Sequence, residues 1–101
     1  MNTFLRTPEF DEWLIKLRDQ VAKARIIARV RSAEAGNFGD FESVGESIYE
    51  MRIHVGPGYR IYYCRRGKVV YLLLCGGDKS SQKRDIREAK KILKELDNEN
   101  E

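Results

Sequence analysis

Residues 49–64 read YEMRIHVGPGYRIYYC, and this stretch decides the fold. Apolar side chains occupy alternate positions on both sides of Gly56-Pro57-Gly58, which is the pattern of two strands that each bury one face. A tight turn between them predicts an antiparallel hairpin. One face of this hairpin carries Tyr49, Met51, Ile53, Tyr59, Ile61 and Tyr63. The other face carries Glu50, Arg52, His54, Arg60 and Tyr62.

Two helices are predicted before the hairpin. Thr7-Pro8-Glu9 is a typical helix start, because Thr caps well and Pro suits the first helical position. The residues that follow at helical spacing are Phe10, Trp13, Leu14 and Leu17. A second helix is predicted from about Val21 to Ala35, and a short strand at Thr3–Arg6 precedes both helices.

A strand and a helix are predicted after the hairpin. The run from Val69 to Cys75 is continuously apolar, which is typical of a strand covered on both faces. Gly76-Gly77 is expected to end that strand. Ser80 or Ser81 is expected to cap a last helix, and the acidic residues 97–101 are expected to fray.

This order of elements predicts one α+β domain over residues 1–101. Two N-terminal helices should pack on one face of a mostly antiparallel sheet, over Met51 and Ile61, and a C-terminal helix follows. The face that bears Arg52 and Arg60 is then expected to be left uncovered.

The charge of the chain is unevenly distributed. The net charge is +3, but residues 52–94 hold 12 Lys and Arg against 3 Asp and Glu. A basic half of this kind favours an anionic partner, with nucleic acid the first candidate. Three of these lysines are interpreted instead as a solvated helix face: Lys90, Lys91 and Lys94.

The composition indicates where the protein is located and whether it uses a cofactor. No apolar run approaches the roughly 20 residues that span a bilayer, and the N-terminus lacks the apolar core of a signal peptide, so a cytoplasmic protein is expected. Cys64 and Cys75 have no metal-binding spacing and are interpreted as buried, reduced thiols. We expect no metal and no other cofactor.

The polar side chains of the hairpin suit phosphodiester cleavage in RNA. A base removes the proton of the attacking 2′-hydroxyl, cations stabilise the transition state, and an acid protonates the leaving oxygen. Arg52 and Arg60 suit the cationic role, because guanidinium groups match phosphate oxygens. Lys79 is assigned as a third cation.

Proton transfer has two candidates. His54 is the single histidine and the natural acid or base, and Glu50 is a second candidate base. Tyr62 is assigned to stacking on a base or to a phosphate contact, and RNA binding is also assigned to Lys68, Lys83 and Arg84. Three alternatives stay open: Arg52 pairs with Glu50 on a solvated face, His54 is an ordinary surface residue, and Tyr62 belongs to the core.

Several segments together resemble the RelE/ParE toxin superfamily, and most closely its HigB-like branch of addiction module killer proteins. The resemblance is carried by the strand at Tyr49–His54, by the Gly58-Tyr59-Arg60 strand and by the segment at 76–82, GGDKSSQ. It extends over nearly the whole chain, through FDEWL at 10–14 and GNFGD at 36–40.

The resemblance implies the toxin of a type II toxin–antitoxin pair that cuts mRNA on the ribosome without a metal ion. Arg52, Arg60 and Lys79 match basic positions of the family. The chain departs from RelE at Glu50, where RelE has a lysine, and it has no aromatic or His residue after Tyr71. The implied partner is a small antitoxin with a helix-turn-helix module.

Two alternative functions remain open at this stage. A ParE-like protein has the same fold and inhibits DNA gyrase without catalysis. A non-toxic nucleic-acid-binding module would also suit the basic half of the chain.

Overall fold

A five-stranded sheet lies between helices on both of its faces. The computed structural model describes residues 1–99. The elements are β1 (Thr3–Arg6), α1 (Pro8–Lys16), α2 (Gln20–Glu34), β2 (Phe41–Gly45), β3 (Ile48–Ile53), β4 (Tyr59–Arg65), β5 (Val70–Asp78) and α3 (Gln82–Glu99). A 3-10 turn at Lys79–Ser81 joins β5 to α3.

The strand order in the sheet is β1-β5-β4-β3-β2. The four strands β2 to β5 are consecutive antiparallel neighbours, and β1 is added parallel to β5 at one edge. The turn between β3 and β4 depends on glycine, because Gly56 and Gly58 have φ angles of 56° and 80°. The predicted α+β fold and its mostly antiparallel sheet are therefore confirmed.

Both N-terminal helices begin at a side-chain cap, and the cap at Thr7 is the predicted one. The Thr7 side chain accepts a hydrogen bond from the Phe10 backbone N–H at 3.0 Å, and Asp19 does the same for Ala22 at 3.0 Å. The helices cover one sheet face, and the core there includes Phe10, Leu14, Ile26, Met51, Ile53, Tyr59, Ile61, Tyr63 and Leu73. This layer was predicted correctly.

The expectation that the second face is uncovered is wrong. Helix α3 packs on that face, where Ala89 and Ile92 are buried against Ile48, Tyr62, Cys64, Leu74 and Cys75. The physical reason is the apolar stripe of α3, which must be buried somewhere, and β5 offers apolar side chains on both faces. The part of this face that stays accessible lies near the start of α3.

The paired glycines do not end β5. The strand continues through Gly76 and Gly77 to Asp78. A Cβ atom at Gly76 would lie 2.4 Å from the ring of Trp13 in α1, and one at Gly77 would lie 1.8 Å from Asp85 in α3. The glycines therefore allow one helix to approach the strand closely from each side.

The start and the end of α3 also differ from expectation. Asp78, rather than a serine, caps the turn before α3, and its side chain accepts from the Ser80 backbone N–H at 2.8 Å. Residues 97–99, predicted to fray, lie in the last turn of α3, and residues 100 and 101 lie outside the described residues.

Within residues 1–99, no helix combines the length and the apolar character needed to cross a bilayer.

Candidate functional site

Most of the predicted site residues lie at one end of the sheet, where β3, β4 and β5 reach the start of α3. Arg52 and Arg60 lie directly opposite each other in the β3–β4 register, and Gly77 of β5 lies beside Arg60. Lys79 follows β5 in the 3-10 turn. We call Arg52, Arg60, Lys79, Lys83 and Arg84 the cation cluster.

A buried carboxylate joins the strands of this site. Glu50 has no exposed surface. Its Oε1 accepts from Arg52 Nε at 3.0 Å, and its Oε2 accepts from the Tyr62 hydroxyl at 3.0 Å and from Gln82 Nε2 at 2.8 Å. Glu50 thus connects β3, β4 and the first residue of α3 through charge-assisted hydrogen bonds.

Three carboxylates surround Arg52. Besides Glu50, the Arg52 guanidinium contacts Glu42 of β2 and lies 3.9 Å from Asp40. Hydrogen bonds to Glu50 and then to Glu42 raise the pKa of Arg52. The pairing of Arg52 with Glu50, left open by the sequence, is observed, but Glu50 is buried rather than on a solvated face. Much of the Arg52 charge is therefore balanced.

Arg60 is held differently. Its side chain is 13% exposed, and its Nη1 lies 3.8 Å from Glu50 Oε1, which is too long for a hydrogen bond. Neither Nε nor Nη1 of Arg60 has a hydrogen-bond partner among residues 1–99. Both atoms lie below the protein surface, so an anion meets Arg60 at the small part of its side chain that is exposed.

His54 stands at the rim of the cluster. Its side chain is 73% exposed, and Nε2 lies 2.6 Å from Asp40 Oδ2. The hydrogen bond to His54 lowers the pKa of Asp40, so the carboxylate stays ionised and orients the imidazole. Both side chains are exposed, so this is a surface pair that orients the imidazole through Nε2.

Sequence reasoning missed Arg29. From α2 on the other side of the sheet, its guanidinium donates to the backbone carbonyls of Phe38, Asp40 and Arg52. It thereby fixes the loop that carries Asp40. The sequence gives no signal for this role, because the contact joins α2 to a loop and a strand that are distant in the chain.

Tyr62 and Glu50 do not lie on an accessible surface, which corrects their expected exposure. Both are fully buried beneath α3. Burial and the neighbouring Glu50 carboxylate raise the pKa of Tyr62, which keeps the phenol protonated as a donor. Tyr62 therefore has no free ring face for a nucleobase, and Glu50 has no solvent access for proton transfer.

The remaining basic residues lie in two separate places. Lys79, Lys83 and Arg84 are exposed and line one surface with Arg87 at the first turn of α3, where the helix dipole also favours anions. Lys68 is exposed in the β4–β5 turn. That turn follows Arg65, so Lys68 lies beyond the far end of β4 from Arg60, about 17 Å along the strand. Lys68 is not part of the cluster.

Only some of the predicted site residues are accessible to a ligand. Arg60, Lys79, Lys83 and Arg84 offer positive charge to a ligand, and His54 offers an accessible imidazole. Residues 1–99 contain no group of three or more His, Cys, Asp and Glu side chains placed to hold a metal ion.

Comparison with known proteins gives the family. The family model of the phage-derived protein Gp49-like (DUF891) matches residues 12–97. The chain belongs to the Gp49-like family. This family is associated with addiction-module toxins of the RelE-like kind.

A relative in Haemophilus influenzae, an uncharacterized protein, is 50% identical over 90 residues. The matched region covers 89% of this chain and 91% of the relative. The Gp49-like assignment thus agrees with the superfamily resemblance in its coarse form, a toxin of a toxin–antitoxin module.

Proposed function

We propose that this Gp49-like protein is a type II toxin of HigB-like character that inhibits translation by cutting mRNA on the ribosome. The observation that carries the proposal is Arg60, a guanidinium whose Nε and Nη1 make no hydrogen bond within residues 1–99 and which lies near the exposed cations at the start of α3. A phosphodiester supplies the acceptor oxygens that Arg60 lacks.

The proposed reaction uses groups of the chain for charge and for the first proton. The 2′-oxygen bonds to phosphorus while the bond from phosphorus to the 5′ oxygen breaks, which leaves a 2′,3′-cyclic phosphate and a 5′-hydroxyl. With Nε2–H donated to Asp40, Nδ1 of His54 takes the 2′ proton. Water protonates the leaving oxygen, and Arg60 and Lys79 stabilise the phosphorane charge.

The test is a reconstituted translation reaction in which mRNA 5′ ends are mapped with and without ribosomes. The variant Arg60→Ala should cut about 100-fold to 1,000-fold more slowly, which is the usual cost of removing a transition-state donor. The control is Arg25→Ala, which removes an exposed cation from α2 and should leave the rate unchanged. Wild-type cleavage by Arg60→Ala would remove Arg60 from the site.

The same assay separates the proton-transfer candidates. His54→Ala should lower the rate by about 100-fold or more if His54 is the base. If His54→Ala cuts as fast as wild type, the base is a ribosomal group, because Glu50 has no solvent access.

A second candidate function is inhibition of DNA gyrase without catalysis. It is favoured by the charge balance at Arg52, which three carboxylates surround. Brief expression in growing cells distinguishes the two functions. Discrete new mRNA 5′ ends support the ribonuclease, whereas gyrase-linked DNA breaks with intact mRNA support the inhibitor.

We also propose that a small helix-turn-helix antitoxin is the protein partner. The family association with addiction modules supports a partner of this kind. The exposed basic surface at the start of α3 suits an acidic segment of that partner.

A further inference from the structure

An aromatic cleft opens on the sheet face opposite the cation cluster. Its cavity has a volume of about 180 Å³, room for one planar ring system and too little for a helix. The lining residues are Phe38, Phe41, Tyr49, Tyr63, Arg65 and Tyr71. We call this group the aromatic cleft.

The rings of the cleft form a connected stack that stops in solvent. Tyr63 stacks on Tyr49 with centroids 5.7 Å apart and on Phe38 with centroids 5.9 Å apart. Phe41 meets Tyr49 edge-on at 6.2 Å and is 49% exposed. A ring left half in water at the end of a stack offers a surface on which another ring can pack.

The tyrosine hydroxyls of the cleft are unused. Tyr63 is only 2% exposed, yet among residues 1–99 its hydroxyl has no hydrogen-bond partner, and the same holds for Tyr49 and Tyr71. Burial, and then Tyr71 and Tyr49, raise the pKa of Tyr63, so its phenol remains a donor. None of these hydroxyl oxygens is among the buried side-chain atoms that lack a partner in residues 1–99, so they reach the surface of the cleft. A ligand with a polar edge can form hydrogen bonds with them there.

Positive charge lies at the mouth of the cleft. Arg65 Nε and Nη2 donate to the carbonyls of Gly67 and Lys68 at 2.8 and 2.6 Å, which holds the guanidinium in place. Lys68 itself is exposed in the same turn. An aromatic surface beside fixed cations is the combination that binds single-stranded nucleic acid.

We propose that the aromatic cleft binds one nucleobase of single-stranded RNA, with Arg65 and Lys68 near its phosphate. This inference rests on the proposed function, because it takes the mRNA substrate as the RNA that enters the cleft. Phe41 and Glu42 are neighbours on the edge strand β2, and Glu42 contacts Arg52. A strand that leaves the cation cluster therefore reaches the cleft by crossing β2, and the cleft holds a base a few nucleotides from the scissile bond.

The test measures binding rather than cleavage. The probe is a single-stranded RNA hexanucleotide with 2′-O-methyl groups, which removes the attacking hydroxyl. A matched abasic oligonucleotide keeps the phosphates and lacks the bases, and free nucleoside monophosphate tests whether a single nucleotide suffices. We expect the hexanucleotide to bind about 10-fold or more tightly than the abasic probe, since stacking contributes at that level per base.

Two variants locate the effect. Phe41→Leu removes a half-exposed ring and should lower hexanucleotide affinity about 10-fold with abasic affinity unchanged. Tyr63→Phe removes only the unused hydroxyl, and it should weaken binding without unfolding the protein. Ile15→Ala, at an exposed apolar residue of α1, is the control and should change neither.

The outcomes separate this inference from the ribonuclease proposal. If Arg60→Ala still binds the intact probe more tightly than the abasic probe, the proposed base-binding role of the cleft is supported, even if no mRNA is cut. If the protein binds the intact and abasic probes with equal affinity, the proposed base-binding role of the cleft is overturned, even if mRNA is cut. Loss of antitoxin binding in Phe41→Leu, with RNA affinity unchanged, also overturns it and assigns the cleft to a protein partner.

Discussion

Glu50 determines how both arginines of the sheet are held. Two guanidinium groups lie directly opposite each other across β3 and β4, an arrangement that is unfavourable without a counter-charge. Glu50 supplies that charge from a fully buried position. Glu50→Gln should therefore lower the free energy of unfolding by about 3 kcal/mol, because it leaves enclosed cations without their partner. Denaturant unfolding followed by circular dichroism measures the loss.

Glu42→Gln is the matched control for this prediction. Glu42 also contacts Arg52, but its side chain is well exposed, and an exposed ion pair contributes less than about 1 kcal/mol. If the two variants lose equal stability, Glu50 is not the anchor of the site. Activity is compared only under conditions where both variants remain folded.

At the residue scale, strand alternation predicted which side chains share a face but not what covers them. It correctly placed Arg52 and Arg60 beside each other. It did not distinguish an accessible Glu50 from a buried one, because burial depends on where α3 packs. Arg29 acts through the carbonyls of a loop, and such a contact between distant segments leaves no local sequence pattern.

The two glycines of β5 set how closely α1 and α3 pack on the sheet. Gly76 faces Trp13 and Gly77 faces Asp85, with no space for a Cβ atom on either side. Gly77→Ala should lower the free energy of unfolding by about 1–3 kcal/mol, the usual cost of overpacking. It should also move the first turn of α3, so a fall in RNA affinity is expected with it. Thermal unfolding and RNA titration measure the two effects.

Gly67→Ala is the control for the strand glycines. A Cβ atom at Gly67 would lie 3.5 Å from Val70, an ordinary contact, and its backbone needs no positive φ angle. It should change stability by less than about 0.5 kcal/mol. If Gly77→Ala is tolerated as well as Gly67→Ala, close packing at β5 does not hold α3 in place.

At the scale of elements, most of the fold was predictable because period and capping signals are local. The start of α1 followed from Thr7-Pro8-Glu9, and the β3–β4 hairpin followed from Gly56-Pro57-Gly58. The end of β5 was not predicted, since a Gly-Gly pair marks a break in some chains and a close approach in others. In this protein the close contacts of Gly76 with Trp13 and of Gly77 with Asp85 show that the pair permits a close approach.

The two faces of the sheet end in two different kinds of surface. The face under α3 ends in the cation cluster, and the face under α1 and α2 ends in the aromatic cleft, with edge strand β2 between them. The uneven charge of the sequence anticipated the basic surface. The cleft was not anticipated, because its rings come from four different strands and from the loop at Phe38, and they meet only after folding.

This division predicts how RNA binding responds to salt. Four cations of the cluster are not enclosed by carboxylates as Arg52 is: Arg60, Lys79, Lys83 and Arg84. If each contacts a phosphate, these four cations should contribute about −3 to the slope of log affinity against log salt concentration for single-stranded RNA, in addition to any contribution from Arg65 and Lys68 at the cleft. Lys83→Ala should reduce that slope by about 0.7, whereas Arg52→Ala should reduce it less, because carboxylates already balance Arg52. Fluorescence titrations of the uncleavable hexanucleotide at several salt concentrations measure the slopes, with Arg25→Ala as the control. A slope that does not change in Lys83→Ala would show that RNA does not contact the start of α3.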